Sequence, residues 1–201
     1  MVKLIDHLGR RGAGPLGLAL VGLLVSAALG GSARAERSRD DQRASLVSLL
    51  GAYELLLERP ALDTIGSRVP ELLIDIASHP SELPRVRVRA LAGLALYPSE
   101  TTFGYLRAQL LERSWLGNGL GTQMRRQALR SLARGFGDRA FDDVISLRQD
   151  TEPLVREAVA QSLADMGSTR AVPVLEAWLP HEQVFAVRDA VDKALGRLRR
   201  L

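Results

Sequence analysis

Apolar side chains recur at helical spacing in five segments of the chain that align with one another. The segments are QRASLVSLL from Gln42, VRVRALAGL from Val86, MRRQALRSL from Met124, VREAVAQSL from Val155 and VRDAVDKAL from Val187. In each segment the second residue is Arg, the fifth is apolar and the ninth is Leu, and the eighth is small in all but the first. Positions one, five, eight, nine and twelve, the last occupied by Tyr53 in the first copy, share one face of an α-helix. The pattern predicts five equivalent helices, each with an apolar stripe that must be covered by a neighbouring helix.

A second helix is predicted between consecutive segments. After the fourth segment, Gly167 is predicted to end the helix with a left-handed cap, and Pro173 falls in the first turn of the next helix. Pro180 helps to stop that second helix. The corresponding stretches elsewhere are RVPELLIDIA from Arg68, TTFGYLRAQLL from Thr101 and RAFDDVISL from Arg139. No stretch shows the sustained period-two alternation of a β-strand, so the sequence predicts an all-α protein.

Each unit is therefore a pair of antiparallel helices that is too small to bury both of its faces alone, so the units must stack. The predicted fold is an all-α solenoid of about four such repeats, closed by a final helix over residues 185–200. The second helices are expected to line the concave side. Two connections are longer than the others, RPALDTIGS from Arg59 and SWLGNGLGT from Ser114, and the latter is expected to form a surface loop.

The stretch VREAVAQSLADMGSTRAVPVLEAWL resembles a HEAT repeat of the short type found in bacterial proteins and in phycobilisome lyase-like repeat proteins. The resemblance covers residues 36–201 and is clearest over 124–200. Only Asp138 keeps the usual Asp directly after the turn Gly, and the middle repeat lacks its Pro. The resemblance implies a binding scaffold in most members of the family and a bilin-attaching enzyme in a minority.

The N-terminal segment has the three parts of a secretory signal peptide. Lys3, Arg10 and Arg11 precede an uncharged run over residues 12–33, and Ala35 completes a small-residue exit site before Glu36. The sequence predicts a signal peptide over residues 1–35 and a repeat domain over 36–201. The protein is then exported to the periplasm or the cell exterior. The alternative is an uncleaved anchor in the inner membrane, although several glycines weaken the run as a spanning helix.

Removal of the predicted signal peptide would lower the net positive charge of the protein. The full chain has a formal net charge of +4, but most of this excess lies in the segment that is predicted to be removed. Basic and acidic residues nearly balance in the remainder, so nucleic acid is not expected as a partner, and neither is the membrane after cleavage. The absence of Cys excludes disulfides, thiolate chemistry and Cys-based zinc sites.

The second residue of each aligned segment forms a set of equivalent arginines: Arg43, Arg87, Arg125, Arg156 and Arg188. We expect a structural ladder, in which each guanidinium pairs with acceptors in neighbouring turns, because repeat proteins use equivalent positions for stacking. The alternative is a positive rail that binds an acidic ligand.

Side chains of the second helices that fall beside the core stripe are candidates for binding a partner. These are Tyr105, Leu147, Val174 and Trp178, which would form an apolar groove for a peptide or helix. The alternative is packing between repeats. Trp115, in the lengthened connection, either packs back onto the domain or faces a partner.

The residues do not support catalysis, a metal site or a cofactor. His79 and His181 stand beside prolines in predicted turns, and no His pair has the spacing of metal ligands. No nucleophile motif is present. The expected function is therefore a non-enzymatic scaffold that binds a protein or peptide in the cell envelope. The alternatives are a membrane-anchored regulatory or assembly subunit and a bilin-lyase-like enzyme subunit, and the sequence leaves the oligomeric state open.

Overall fold

The computed structural model describes residues 38–52 and 56–201, which are helical and contain no strand. Residues from 35 onward form a compact unit of their own. The predicted signal peptide, the cleavage site between Ala35 and Glu36, and Tyr53 lie outside the described residues.

The five predicted first helices are present. They are α1 (Arg39–Gly51), α4 (Pro84–Leu94), α6 (Gly119–Phe136), α8 (Pro153–Met166) and α10 (Phe185–Leu198). The second helices are α3 (Val69–Ser78), α5 (Glu100–Leu111), α7 (Phe141–Ile145) and α9 (Ala171–Trp178). A short helix, α2 (Arg59–Asp63), lies in the first lengthened connection, and 3-10 turns occupy Arg113–Trp115, Gly137–Ala140 and Leu179–His181. The prediction of an all-α solenoid of helix pairs with a closing helix is confirmed.

The stripe positions of the first helices form the core. Leu50, Leu94, Leu132, Leu163 and Leu195, the ninth residues of the five segments, are all buried. The small eighth residues lie where helices approach one another. In α6, Ser131 is fully buried and its Oγ donates to the Leu91 carbonyl of α4 over 2.8 Å.

Local signals set the helix ends. Gly167 ends α8 with φ 66° and ψ 18°, the left-handed cap that the sequence predicts. The second lengthened connection differs from the expected loop, since α6 already begins at Gly119. The Asn118 side chain caps it by accepting from the Gly121 N–H over 2.5 Å. Trp115 packs so closely against Gly121 that a Cβ there would collide with the Trp115 backbone.

The two layers of the stack are spaced differently. In the first-helix layer, α8 packs extensively against both α6 and α10, whereas successive second helices contact each other little. The first helices thus form a more tightly packed layer than the second helices, and the place of the second helices on the concave side stays a prediction.

All first helices begin at the same edge of the domain, because an antiparallel second helix returns the chain to that edge in every repeat. We call it the N-terminal edge. The loops that join α3 to α4, α5 to α6, α7 to α8 and α9 to α10 lie there.

Candidate functional site

The aligned arginines lie just inside the N-terminal edge. Arg43 donates from Nε to Asp75 over 2.8 Å and from a terminal nitrogen to Glu82 over 2.7 Å. Arg87 is buried and donates to the Ala77 carbonyl over 2.9 Å. Arg43 and Arg87 thus fasten the end of α3 to the first-helix layer.

The next two arginines form the most enclosed ion pairs of the described residues. Arg125 makes a bidentate pair with Asp150, and both side chains are almost fully buried. Arg156 binds Glu182 with two donors over 2.9 and 2.8 Å and also donates to the Asp150 carbonyl over 2.8 Å. Each pair fastens a loop at the N-terminal edge to the first helix of the preceding helix pair, the α7–α8 loop to α6 and the α9–α10 loop to α8.

Glu182 is the centre of a small polar network. Besides Arg156, its carboxylate accepts from the Val184 backbone N–H over 2.9 Å and from Trp178 Nε1 over 3.2 Å. The Arg156 guanidinium, opposed by burial and helped by the two N–H donors, lowers the pKa of Glu182 to about 2. The carboxylate therefore stays ionised in the folded protein over the physiological range.

Arg188 differs from the other four arginines. It is exposed on α10, and no hydrogen bond or ion pair reaches it from the described part of the chain. Four arginines thus have the geometry expected of a ladder, and their contribution to stability stays a prediction.

Trp178 falls beside the core stripe by spacing, where the sequence left open a groove or packing between repeats. It is only 9% exposed, and its indole N–H donates to Glu182. The reason is that α9 is followed by a tight turn that folds Glu182 back over the ring. Trp178 forms the floor of a surface depression rather than a projecting contact.

That depression is a cleft of about 520 Å³ between α7 and α9. Its walls are mostly apolar, and Arg148 and His181 stand at its rim. The lining residues are Ile145, Arg148, Gln149, Pro173, Val174, Ala177, Trp178 and His181. Of the residues predicted to bind a partner, the structure brings Val174 and Trp178 together here. We call it the α7/α9 cleft.

The corresponding clefts between earlier second helices are bridged by side chains. Between α3 and α5, the hydroxyls of Tyr105 and Ser78 lie 2.7 Å apart, and burial raises the pKa of Tyr105. Between α5 and α7, Arg107 donates to Asp143 over 2.6 Å. The α7/α9 pair is bridged only at its opposite end, where the Arg170 guanidinium lies 4.3 Å from the centre of the Phe141 ring.

The other predicted partner-binding residues lie apart from this cleft. Leu147 is half-buried just after α7 and packs against the core. Tyr105 is half-buried against Ser78. Trp115 is half-buried at the N-terminal edge, with the Arg87 guanidinium 5.4 Å from its ring centre. Pattern analysis had missed Ile145 and Ala177, although Ala177 stands three residues after Val174 and thus on the same helix face.

The first-helix layer carries a second feature that sequence reasoning missed. Arg126, Arg130 and Arg134 form a stripe along α6 at positions three, seven and eleven of the repeat. Burial, followed by the charges of Arg126 and Arg134, lowers the pKa of Arg130, and Gln161 of α8 accepts from it over 2.9 Å. The i, i+4, i+8 spacing of these arginines was a visible signal.

No group of His, Asp and Glu that could hold a metal ion occurs within residues 38–52 and 56–201. His79 and His181 are both exposed in turns. Within the same ranges, none of the helices combines the length and the apolar character that crossing a bilayer requires.

Comparison with known proteins identifies the repeat. Residues 121–196 match the family model described as HEAT repeats. They comprise α6 from its third residue, the second helices α7 and α9, all of α8, and most of α10. No curated protein matches the chain. Helices α1, α3, α4 and α5, outside the match, pack in the same kind of helix pairs, so the described domain is an α-solenoid in which residues 121–196 are similar to HEAT repeats.

Proposed function

We propose that this protein is an exported, non-enzymatic HEAT-repeat scaffold that binds a protein or peptide partner in the cell envelope. HEAT repeats are commonly scaffolds for protein interaction, which supports the general role. The observation that carries the proposal for this chain is the α7/α9 cleft, which is open, mostly apolar and set in a rigid frame.

The cleft has the features of a peptide-binding site. Val174 and Ala177 line a wall, and Trp178 is fixed as its floor by the hydrogen bond to Glu182. A pre-formed surface of this kind loses little conformational entropy on binding. Its size suits one or two large apolar side chains of a partner, which is how a few anchors carry most of the affinity of an interface.

Arg148 and His181 define the preferred polarity of the partner. Both stand exposed at the rim and near the N-terminal edge. A carboxylate next to the apolar anchor would meet the Arg148 guanidinium without deep desolvation. The proposed ligand is therefore an apolar peptide segment flanked by an acidic residue.

Ala177→Glu tests the cleft directly. Ala177 is exposed, so the substitution places a charge in the cleft without disturbing the core. The matched control is Ala108→Glu, which changes an exposed alanine on the second helix α5. Tagged wild-type and variant proteins are used to capture partners from the envelope fraction. We expect one partner to be lost with Ala177→Glu and retained with Ala108→Glu; retention with both would overturn the assignment of the cleft.

Export is a separate part of the proposal and has its own test. The uncharged run over residues 12–33 and the small-residue site at Ala35 support cleavage before Glu36. N-terminal sequencing of the protein from the native envelope should begin at Glu36. A native protein that retains residues 1–35 would favour the alternative of an anchored regulatory or assembly subunit.

A further inference from the structure

The exposed large hydrophobic side chains of the described residues are concentrated on one edge. Seven such side chains are exposed, and five of them lie at the N-terminal edge with exposed fractions between 47% and 74%. These five, which we call the edge row, are Leu83, Leu111, Leu116, Leu154 and Phe185. The remaining two are Leu56 and Leu201.

The edge row follows the repeat. Leu83 caps α4, Leu116 precedes α6, Leu154 is the second residue of α8, and Phe185 is the first residue of α10. Four first helices, α4, α6, α8 and α10, thus each place one large apolar side chain at or just before their first turn. Helices in such a layer are spaced by about 10 Å, so the row presents separate points along a line and not a groove.

Exposed arginines accompany the row. Arg85, Arg113, Arg148 and Arg188 are exposed at the same edge. Three carboxylates at this edge are neutralised by ion pairs within the domain, because Glu82, Asp150 and Glu182 are paired with the aligned arginines. Over α4 to α10, Glu112 is exposed and Glu152 is half-buried, so guanidinium groups predominate among the accessible charges of that part of the edge, whereas the first turn of α1 carries the exposed Asp40 and Asp41.

The chain also enters the domain at this edge. Ser38, the first described residue, caps α1, and the next residue, Arg39, lies 3.8 Å from Asp75 near the end of α3. The uncharged run over residues 12–33 stands just before Ser38 in the sequence. The described domain therefore begins on the side of the edge row.

We infer that the N-terminal edge is a membrane-binding surface, which rests on a bilayer containing anionic phospholipids. Large apolar side chains at the level of the headgroups and arginines beside them are the two components of interfacial membrane binding. Separate projecting side chains in one line suit a fluid, roughly planar surface better than a folded partner, which would require a contiguous patch. The near-neutral charge of the mature chain argued against a membrane partner, but a total charge does not describe one edge.

The inference is tested with residues 36–201, which correspond to the compact unit and its complete described core. The probe is sedimentation with vesicles of phosphatidylcholine and phosphatidylglycerol, compared with vesicles of phosphatidylcholine alone. The test variant combines Leu83→Ser, Leu116→Ser, Leu154→Ser and Phe185→Ser. The matched control combines Leu56→Ser and Leu201→Ser, which remove the two exposed leucines away from the edge.

We expect the wild-type domain to bind the anionic vesicles and to be released by high salt. Loss of one inserted Leu or Phe changes partitioning by about tenfold, so the fourfold variant should fail to bind at any practical lipid concentration. The control pair should bind like the wild type. Circular dichroism should show the same helix content for all three, because every changed side chain is exposed in the wild type.

Three outcomes would overturn the inference: no binding to anionic vesicles, equal binding by the fourfold variant, or equal loss in the control pair. If vesicles are never bound but the fourfold variant loses a captured protein, the edge row is a protein interface instead. The α7/α9 cleft is tested independently, since Ala177→Glu should leave vesicle binding unchanged.

Discussion

At the scale of single residues, the enclosed ion pairs depend on where acceptors lie, not on Arg alone. Arg156 and Arg188 occupy the same position in consecutive repeats, yet Arg156 is held by a nearly buried carboxylate and Arg188 is exposed. Breaking an enclosed pair costs more than the pair contributes when intact, because the remaining charge is left without compensation. The two arginines therefore form a matched experiment.

Arg156→Ala should lower the free energy of unfolding by about 3 kcal/mol, because it leaves Glu182 charged, poorly solvated and without its main donor. Urea denaturation at neutral pH measures this change. Arg188→Ala is the control and should change stability by less than about 0.5 kcal/mol. Equal effects of the two substitutions would show that the Arg156–Glu182 pair does not fasten the α9–α10 loop.

The low pKa of Glu182 predicts a defined pH dependence. Its pKa is about 2 in the folded protein against 4.5 for an ordinary Glu. The ionised carboxylate thus contributes stability that is complete above about pH 5 and is lost as the pH falls towards 2. That contribution is about 3 kcal/mol.

Glu182→Gln removes this titration while keeping the shape of the side chain. The variant should be less stable than the wild type at pH 7, and the difference should shrink progressively between pH 5 and pH 3. Urea midpoints at several pH values report this directly. A constant difference across that range would mean that another carboxylate carries the acid sensitivity.

At the scale of helices, two glycines with opposite surroundings separate helix propensity from packing. Gly104 lies within α5, and a Cβ there would meet nothing within 4 Å. Gly135 lies near the end of α6, where a Cβ would stand 2.9 Å from the Ala95 carbonyl oxygen of the neighbouring repeat. That distance is too short for a carbon–oxygen contact. Because the oxygen belongs to the backbone, it cannot move aside as the end of a flexible side chain could.

Gly104→Ala should raise the free energy of unfolding by about 0.5–1 kcal/mol through helix propensity. Gly135→Ala should lower it by about 1–2 kcal/mol, because α4 and α6 must separate to admit the methyl group. Thermal unfolding of the two variants and of the wild type shows whether each substitution raises or lowers the free energy of unfolding. A stabilising Gly135→Ala would indicate that the first-helix layer is looser than this contact implies.

The sequence predicts the repeat well because burial follows the helical period. Leu94, Leu132 and Leu163 occur at one position of the pattern, and each is fully buried. Gly167 was predictable for a related reason, since a left-handed cap strongly favours glycine. These features depend on local geometry and on residue type alone.

Other features depend on how the layers are arranged, which periodicity does not encode. Trp178 falls beside the stripe by spacing, but the turn after α9 places Glu182 over it. The aligned arginines have acceptors of different kinds, because each connecting loop follows its own path. Arg43 binds the Asp75 carboxylate, for example, whereas Arg87 binds the Ala77 backbone carbonyl. The relative spacing of the two layers follows from contacts between repeats, and no single repeat contains that information.

At the scale of the whole domain, the stack distributes its roles among three surfaces. The closely packed first helices form one layer, and the second helices are spaced widely enough to leave the α7/α9 cleft open. The N-terminal edge combines the edge row with the aligned arginines just beneath it. The binding proposed at the edge and the binding proposed at the cleft would use different residues, which is why variants can separate the two.

The closing helix α10 tests whether the repeats depend on one another. Its apolar face buries Val187, Val191, Leu195 and Leu198 almost completely, and α8 is its main partner. Burial of four such side chains contributes about 6–10 kcal/mol in total. That is comparable with the entire stability of a typical domain, about 5–15 kcal/mol.

Deletion of residues 185–201 should therefore leave a chain that is largely unfolded at room temperature or that melts far below the intact protein, because α8 cannot cover its apolar stripe alone. Circular dichroism measured during heating detects either result. Leu201→Ser, at an exposed position beyond α10, should melt like the wild type. A shortened chain that keeps the wild-type melting temperature would mean that the earlier repeats form an independently stable core, so that α10 binds to it without supporting it.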